Sequence, residues 1–277
     1  MNPTPSPEGR GQWRSRVGFV LAAAGSAIGL GNIWRFPAET ARNGGAAFLL
    51  VYLACVAVVG VPVMIAELSI GRHTGRNPVG AFARIKPRTP WFLVGALGVA
   101  TGVAILSFYS VIAGWTIGYL FKALRGDFSS VARAAHSQQV FEAAVGSGPW
   151  NLLLHGVFIV LTVIIVVGGI KKGIEAATRI MMPVLLLLLF GLVVVSISLP
   201  GSGEGLAFYL RPEWSDITPA VVVAALGQAF FSLSLGMGAM ITYGSYLNRK
   251  ENLVTSAAFV AGMDTAIAFL AGLAIFP

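Results

Sequence analysis

Seven apolar runs, at residues 17–36, 46–70, 91–124, 150–170, 174–199, 219–247 and 253–277, take up most of this 277-residue chain. Each is long enough to cross a bilayer, because about 20 apolar residues in a helix span roughly 30 Å of hydrocarbon. Lipid offers no partner to a backbone N–H or C=O, so such runs are confined to bundles of helices. Composition agrees: 56% of the residues are hydrophobic and 11% charged, far from the balance of a soluble globular domain. The run at 91–124 is too long to stand upright and is expected to cross obliquely.

The net charge of +8 would suggest nucleic acid in a soluble protein, but the basic residues fall in alternate loops between apolar runs. That is a topology signal, and no nucleic-acid partner is expected. Arg10, Arg14, Arg16, Arg72, Arg76, Arg84, Lys86, Arg88, Lys171, Lys172, Arg179, Arg249 and Lys250 fall on one side. Only Arg42, Lys122, Arg125, Arg133 and Arg211 fall on the other, so the N-terminus is expected to be cytoplasmic. Residues 126–149 and 200–218 are then external. The polar, proline-rich start has no signal-peptide pattern, so the first run is expected to remain in the protein. The single cysteine, Cys55, lies in an apolar run and allows no internal disulfide. The chain stops at Ile275-Phe276-Pro277 without a polar tail, which reads as part of a longer protein.

Two runs are poor continuous helix. The first contains Gly25, Gly29, Gly31 and Asn32, followed by Arg35, Pro37 and Glu39. The sixth contains Ser232-Leu233-Ser234-Leu235-Gly236-Met237-Gly238. Gly25-x-x-x-Gly29 alone is equally a helix-packing motif. Two interrupted runs five helices apart, however, are the pattern of inverted-repeat transporters. At such a break, half-helix N-termini suit an anion and half-helix C-termini a cation. One site can then hold a zwitterion and Na⁺.

Ionisable residues at membrane depth point the same way, since each is expensive in lipid. They are Arg35, Glu67 and Asp264. Glu67, beside the second break, reads as structural. Asp264 has no basic residue in its own run, and its carboxylate is a suitable hard ligand for Na⁺. Enzyme signatures are missing: there is no His-Glu-x-x-His, and Ser234 lacks the glycine two residues before it that a nucleophile elbow requires. The chain is not expected to be an enzyme.

The segments 25–37 (GSAIGLGNIWRFP) and 227–236 (GQAFFSLSLG), together with Asn43-Gly44-Gly45 and Glu67-x-x-x-Gly71-Arg72, resemble the hallmark segments of the neurotransmitter:sodium symporter family. The resemblance is strongest to bacterial hydrophobic amino-acid symporters of the leucine-transporter fold. It implies an all-α polytopic membrane protein of the cell (inner) membrane with two inverted five-helix repeats. About seven transmembrane helices of eleven or twelve would be present, with helices 1 and 6 unwound at mid-membrane. Residues 1–16 would be a cytoplasmic segment, 17–199 the first repeat, 200–218 an extracellular loop, and 219–277 the first two helices of the second repeat.

Carried over residue by residue, the resemblance implies a first Na⁺ site from the Ala27 carbonyl, the Asn32 side chain, Ser232 and Asp264, completed by the substrate carboxylate. A second Na⁺ would use the carbonyls of Gly25 and Ile28. The substrate carboxylate would meet Leu30, Gly31 and Tyr109, and its ammonium Ala27, Phe231, Ser232 and Ser234. Ile105, Tyr109, Phe231 and Met237 would wall an apolar side-chain pocket. Arg35 resembles an outer-gate arginine, Phe231 its aromatic lid, and Arg10 with Trp13 an inner latch, both arginines having acidic partners beyond residue 277. Gly173 and Pro183 fit a spacing linked to local unwinding, although such a proline is also an ordinary kink. Asp264 replaces a neutral residue found in many relatives and Ala268 offers no hydroxyl, so chloride is not expected as a cofactor. The implied function is Na⁺-driven import of an amino acid by alternating access. Transport of another small amine or osmolyte, and binding-only sensing, are the alternatives.

Overall fold

The computed structural model describes residues 16–126, 134–248 and 251–277, and among them every regular element is helical. Helix α1 (Arg16–Ala27) ends before the first glycine-rich break, and a π-helical turn (Gly31–Arg35) leads into α2 (Phe36–Arg42). Pro37 does not end the helix. It sits at the junction of the π-helical turn and α2, and the helical path continues through it. Helix α3 (Ala46–Cys55), a π-helical stretch (Val56–Gly60) and α4 (Val61–Thr74) run on as one rod of 29 residues. Gly75, with φ +62°, closes that rod in the left-handed conformation.

Helix α5 (Pro78–Ile85) is capped by Asn77, whose side chain accepts from the Gly80 N–H at 2.7 Å. It is followed by α6 (Phe92–Leu124), α7 (Ala134–Gly146), α8 (Gly148–Val167), a π-helical turn (Ile170–Ile174), α9 (Glu175–Ile197) and α10 (Ser202–Leu210). A single 3₁₀ turn (Trp214–Asp216) precedes α11 (Pro219–Ser232), α12 (Ala239–Gly244) and α13 (Leu253–Ile275). Thr218 and Asn252 cap α11 and α13 through their side chains, as their residue types favour.

Among the described residues, five helical stretches are long and apolar enough to cross a membrane. They are Ala46–Thr74, Phe92–Leu124, Gly148–Val167, Lys172–Ile197 and Leu253–Ile275. The runs at 17–36 and 219–247, the two with glycine-rich interruptions, are each divided into shorter helices. Helices α5, α7 and α10 lie in segments read from sequence simply as connections.

The chain falls into two compact units. One comprises residues 1–100 with 170–277, and the other residues 101–169, so the division lies inside α6.

The core of the first unit lies between α2, α3, α4, α11, α12 and α13, around Phe36, Phe48, Tyr52, Met64, Leu233 and Met240. The Phe36 and Tyr52 rings are 5.0 Å apart. Helices α4 and α12 meet backbone to backbone. A methyl added at Gly244 would stand 2.5 Å from the Leu68 carbonyl oxygen, and one at Gly71 would strike the Ile241 carbonyl. A second cluster joins Ala24 and Ile28 to Met182, Leu189, Ile267 and Ala271. Helix α10 is fixed to α13 by Tyr209, which donates to the Phe269 carbonyl at 3.1 Å and stacks on Phe276. Burial pushes the Tyr209 phenol above its ordinary pKa, so it remains a donor.

In the second unit, α8 is almost wholly uncovered, and its apolar surface suits lipid.

Candidate functional site

The first interruption begins at Gly29, just after Ile28, whose N–H still donates to the Ala24 carbonyl at 2.7 Å. The Asn32 side chain folds back on it, its Oδ1 accepting from the Gly29 N–H at 3.0 Å. From the same side chain, Nδ2 donates to Ser232 Oγ at 3.1 Å, to the Asp264 carbonyl at 3.0 Å and to Asp264 Oδ1 at 2.8 Å. Ser232 Oγ donates in turn to Asp264 Oδ2 at 2.7 Å, and the Tyr52 hydroxyl stands 3.5 Å from the same oxygen. Asn32, Ser232, Tyr52 and Asp264 are all buried. Residues 32, 52, 232 and 264 are thus drawn from four separate elements into one polar cluster.

Its electrostatics are one-sided. Asp264 is fully buried, and among the described residues only neutral donors surround its carboxylate, with no lysine or arginine paired to it. A buried carboxylate without a countercharge is costly, and hydrogen bonds from an amide and hydroxyls offset only part of that cost. The set of carboxylate, hydroxyl, amide and backbone oxygens fits a hard monovalent or divalent cation rather than a soft metal.

The second interruption follows Ser232 at the end of α11. Residues 233–238 form consecutive turns, with Ser234, Gly236 and Gly238 at φ +54°, +79° and +76°. The Gly236 N–H donates to Glu67 Oε1 at 2.7 Å, which ties the second break to α4. The Ser234 hydroxyl reaches the Ser26 carbonyl at 3.4 Å, a long contact that joins the second break to the end of α1.

Phe231 and Gly31 face one another. A methyl at Gly31 would lie 3.2 Å from Phe231 Cε1. The Arg35 guanidinium lies 4.7 Å above the same ring and donates to Gln228 Oε1 at 2.8 Å, and Gln228 Nε2 donates to the Gly31 carbonyl at 3.0 Å. Arg35 also lies 3.8 Å from the Glu39 carboxylate. That pair is loose and partly exposed and contributes little. Gly25 packs against Thr178 and Met182 of α9, so the end of α1 that carries the Gly25 and Ile28 carbonyls rests on that helix. Gly173 lies in the π-helical turn before α9, and Pro183 lies inside α9, which continues unbroken through it.

The remaining site residues from the sequence are more scattered. Ala27 ends α1, Leu30 and Gly31 follow the break, and Met237 lies half-buried in the second one. Ile105 and Tyr109 are on the part of α6 that belongs to the second unit. Arg10 and Trp13 fall outside the described residues. Two members of the site escaped the sequence. Tyr52 counts as apolar in an apolar run, and Gln228, fully buried, was a visible polar residue in the sixth run that received no role.

Comparison with known proteins gives this arrangement a family. The model of the Sodium:neurotransmitter symporter family matches residues 10–145 and 133–277. The chain belongs to this family. A sodium-dependent transporter of Bacillus subtilis (strain 168), YhdH, described as uncharacterized, is 44% identical over 266 residues, covering 96% of this chain and 59% of its own length. The rat sodium-dependent neutral amino acid transporter B(0)AT2 is 29% identical over 301 residues, covering 96% of this chain and 40% of the transporter. The crystal structure of MhsT in complex with L-phenylalanine superposes with a TM-score of 0.91 at 50% identity, covering 97% of this chain and 61% of MhsT. The chain thus spans about three-fifths of the length of YhdH and MhsT. This symporter-family chain is a multi-pass, all-helical membrane protein of the leucine-transporter fold, and its family is one of transporters rather than enzymes.

Proposed function

We infer that this chain carries the ion- and substrate-binding half of a Na⁺-coupled symporter that imports amino acids, hydrophobic ones above all, by alternating access. The observation that carries the reading is the buried Asn32–Ser232–Asp264 cluster, an oxygen-rich and uncompensated negative site set between two interrupted helices. Sodium supplies the missing positive charge. In the described geometry Asn32 turns its nitrogen, not its oxygen, toward Ser232 and Asp264. Cation binding therefore calls for the amide to turn over and release the Gly29 N–H, which must then find another acceptor.

The substrate's carboxylate completes this first Na⁺ site from the Leu30, Gly31 and Tyr109 side, while Ala27, Phe231, Ser232 and Ser234 take its ammonium. Ion and substrate then raise one another's affinity by the same factor. By the family resemblance, Ile105, Tyr109, Phe231 and Met237 are the residues assigned to the substrate's side chain. The L-phenylalanine held by MhsT, at 50% identity, supports an apolar amino acid. A second Na⁺ uses Gly25 and Ile28. Helices 1 and 6 are unwound at mid-membrane, the excess of lysine and arginine on one side supports a cytoplasmic N-terminus, and Arg35 with Phe231 closes the outer side. Arg10 and Trp13 latch the inner side, and Gly173 with Pro183 allows α9 to loosen.

Scintillation proximity binding of all twenty amino acids, with Na⁺ or with choline in its place, tests the reading. Na⁺-dependent binding of large apolar amino acids is the expected outcome, and its absence would reject it. The fixed Asp264 carboxylate beside the proposed Na⁺ supplies the negative charge that a bound anion would otherwise bring. Replacing chloride by gluconate should leave transport unchanged.

A further inference from the structure

The second unit contains a shallow, mainly apolar groove with a few polar groups, remote in chemistry from ion coupling, formed where the end of α6 meets α7 and the start of α8. Trp115, Gly118, Tyr119, Lys122, Trp150 and Asn151 line it. Most of the polar groups there are already occupied. Trp115 Nε1 donates to Asn151 Oδ1 at 3.0 Å, and Asn151 Nδ2 donates to the Val145 carbonyl at 2.7 Å. Phe141 meets the Trp115 ring edge-on at 6.0 Å and fixes it from α7. Two donors are left over. The Lys122 ammonium lies 5.9 Å over the Tyr119 ring and, among the described residues, has no carboxylate partner. The Trp150 indole N–H lies over Gly118, where a methyl would stand 3.7 Å from Nε1, and it likewise has no partner among the described residues.

A groove whose unspent groups are a cation and an N–H, with no carboxylate in its lining, selects a ligand made of acceptors and bearing net negative charge. The one acidic residue of α7, Glu142, is exposed and takes the Gln138 amide at 2.9 Å. The surroundings select a lipid. Leu120, Phe121 and Leu124 on α6 and Leu152 and Leu153 on α8 are exposed apolar side chains beside the groove. Tryptophan, tyrosine and lysine at a helix end are the residues that settle at headgroup depth. We propose that this groove binds the phosphate of an anionic phospholipid through Lys122 and Trp150, with the acyl chains lying along the exposed faces of α6 and α8. A zwitterionic headgroup brings its own ammonium to Lys122 and is disfavoured.

Native mass spectrometry of the purified full chain, titrated with phosphatidylglycerol or phosphatidylcholine, tests the assignment. Phosphatidylglycerol should bind at least about fivefold more tightly than phosphatidylcholine, the factor expected of one basic group at a headgroup. Lys122→Met should remove about that fivefold preference, Trp150→Phe should weaken binding less, and Lys86→Met in the first unit should leave it unchanged. Equal binding by Lys122→Met and the parent, an equal loss in Lys86→Met, or no headgroup preference would each overturn the site. Millimolar inorganic phosphate should not displace the lipid; displacement would reassign the groove to a soluble anion and overturn the lipid. Circular dichroism checks folding, and if Lys122→Met fails to fold, Lys122→Arg decides, because retained charge must retain the preference.

Discussion

The two interruptions look alike in sequence, each a knot of glycine and short polar residues in an apolar run, yet they are closed by opposite means. The first is closed from within: Asn32 reaches back to the Gly29 N–H and spends the rest of its amide on Ser232 and Asp264. The second is held from outside, by Glu67 on α4 accepting from the Gly236 N–H, with three left-handed residues shaping the turn. A break that uses its own side chain can exchange that partner for an ion. A break propped by a distant helix inherits its shape from that helix. The first is therefore suited to binding and the second to being positioned.

The largest effect should come from the group the two breaks share. Asp264→Ala strips the cluster of its charge and two of its acceptors and should weaken Na⁺-dependent binding on the order of 100-fold, the upper end for loss of groups around a metal. Equilibrium binding at graded Na⁺ measures it, and a change of less than a few-fold would show that the first break binds without the carboxylate. Glu67→Ala should act on stability instead, because the Gly236 N–H loses its acceptor at a cost of about 1–3 kcal/mol. Thermal unfolding in detergent should show it, and Glu67→Gln, which keeps an acceptor oxygen, should recover most of the loss.

Gly31→Ala presses a methyl against the Phe231 ring and should weaken substrate binding by about tenfold, within the range for overpacking. Na⁺ binding without substrate should change less, which separates pocket from ion site. Ser234→Gly should have the smallest effect and a divided one. Relief of a left-handed serine raises stability by up to about 1 kcal/mol, while loss of the hydroxyl lowers affinity by roughly threefold. A fall in both would make Ser234 a structural residue of the break, held by its long bond to Ser26.

Much of the fold was open to sequence reasoning because hydrocarbon imposes few solutions. A run such as 174–199 has one available structure, and the structure has α9 there. The two breaks were legible for the same reason, since glycine and asparagine at that depth violate the rule that makes the other runs readable. The cluster was legible only in part. Asn32, Ser232 and Asp264 advertise themselves as polar in apolar surroundings. Tyr52 does not, because its ring reads as apolar and its partner Asp264 lies 212 residues away. The loose contact between Arg35 and Glu39, one turn apart, was not read from the sequence, where each was considered singly. Helix α10 was missed because residues 200–218 lack a long apolar run. What orders it is tertiary, through Tyr209 on Phe269 and Phe276.

The contact between α4 and α12 has a mechanical meaning. With Gly71 against the Ile241 carbonyl and Gly244 against Leu68, the two helices have no side-chain cushion between them on which to slide. They form a splint, and any displacement of α12 is a displacement of α4. Flexure at residues 233–238 must then be taken up on the α11 side, so the second break works as a one-sided joint whose fixed arm also carries the carboxylate that braces it.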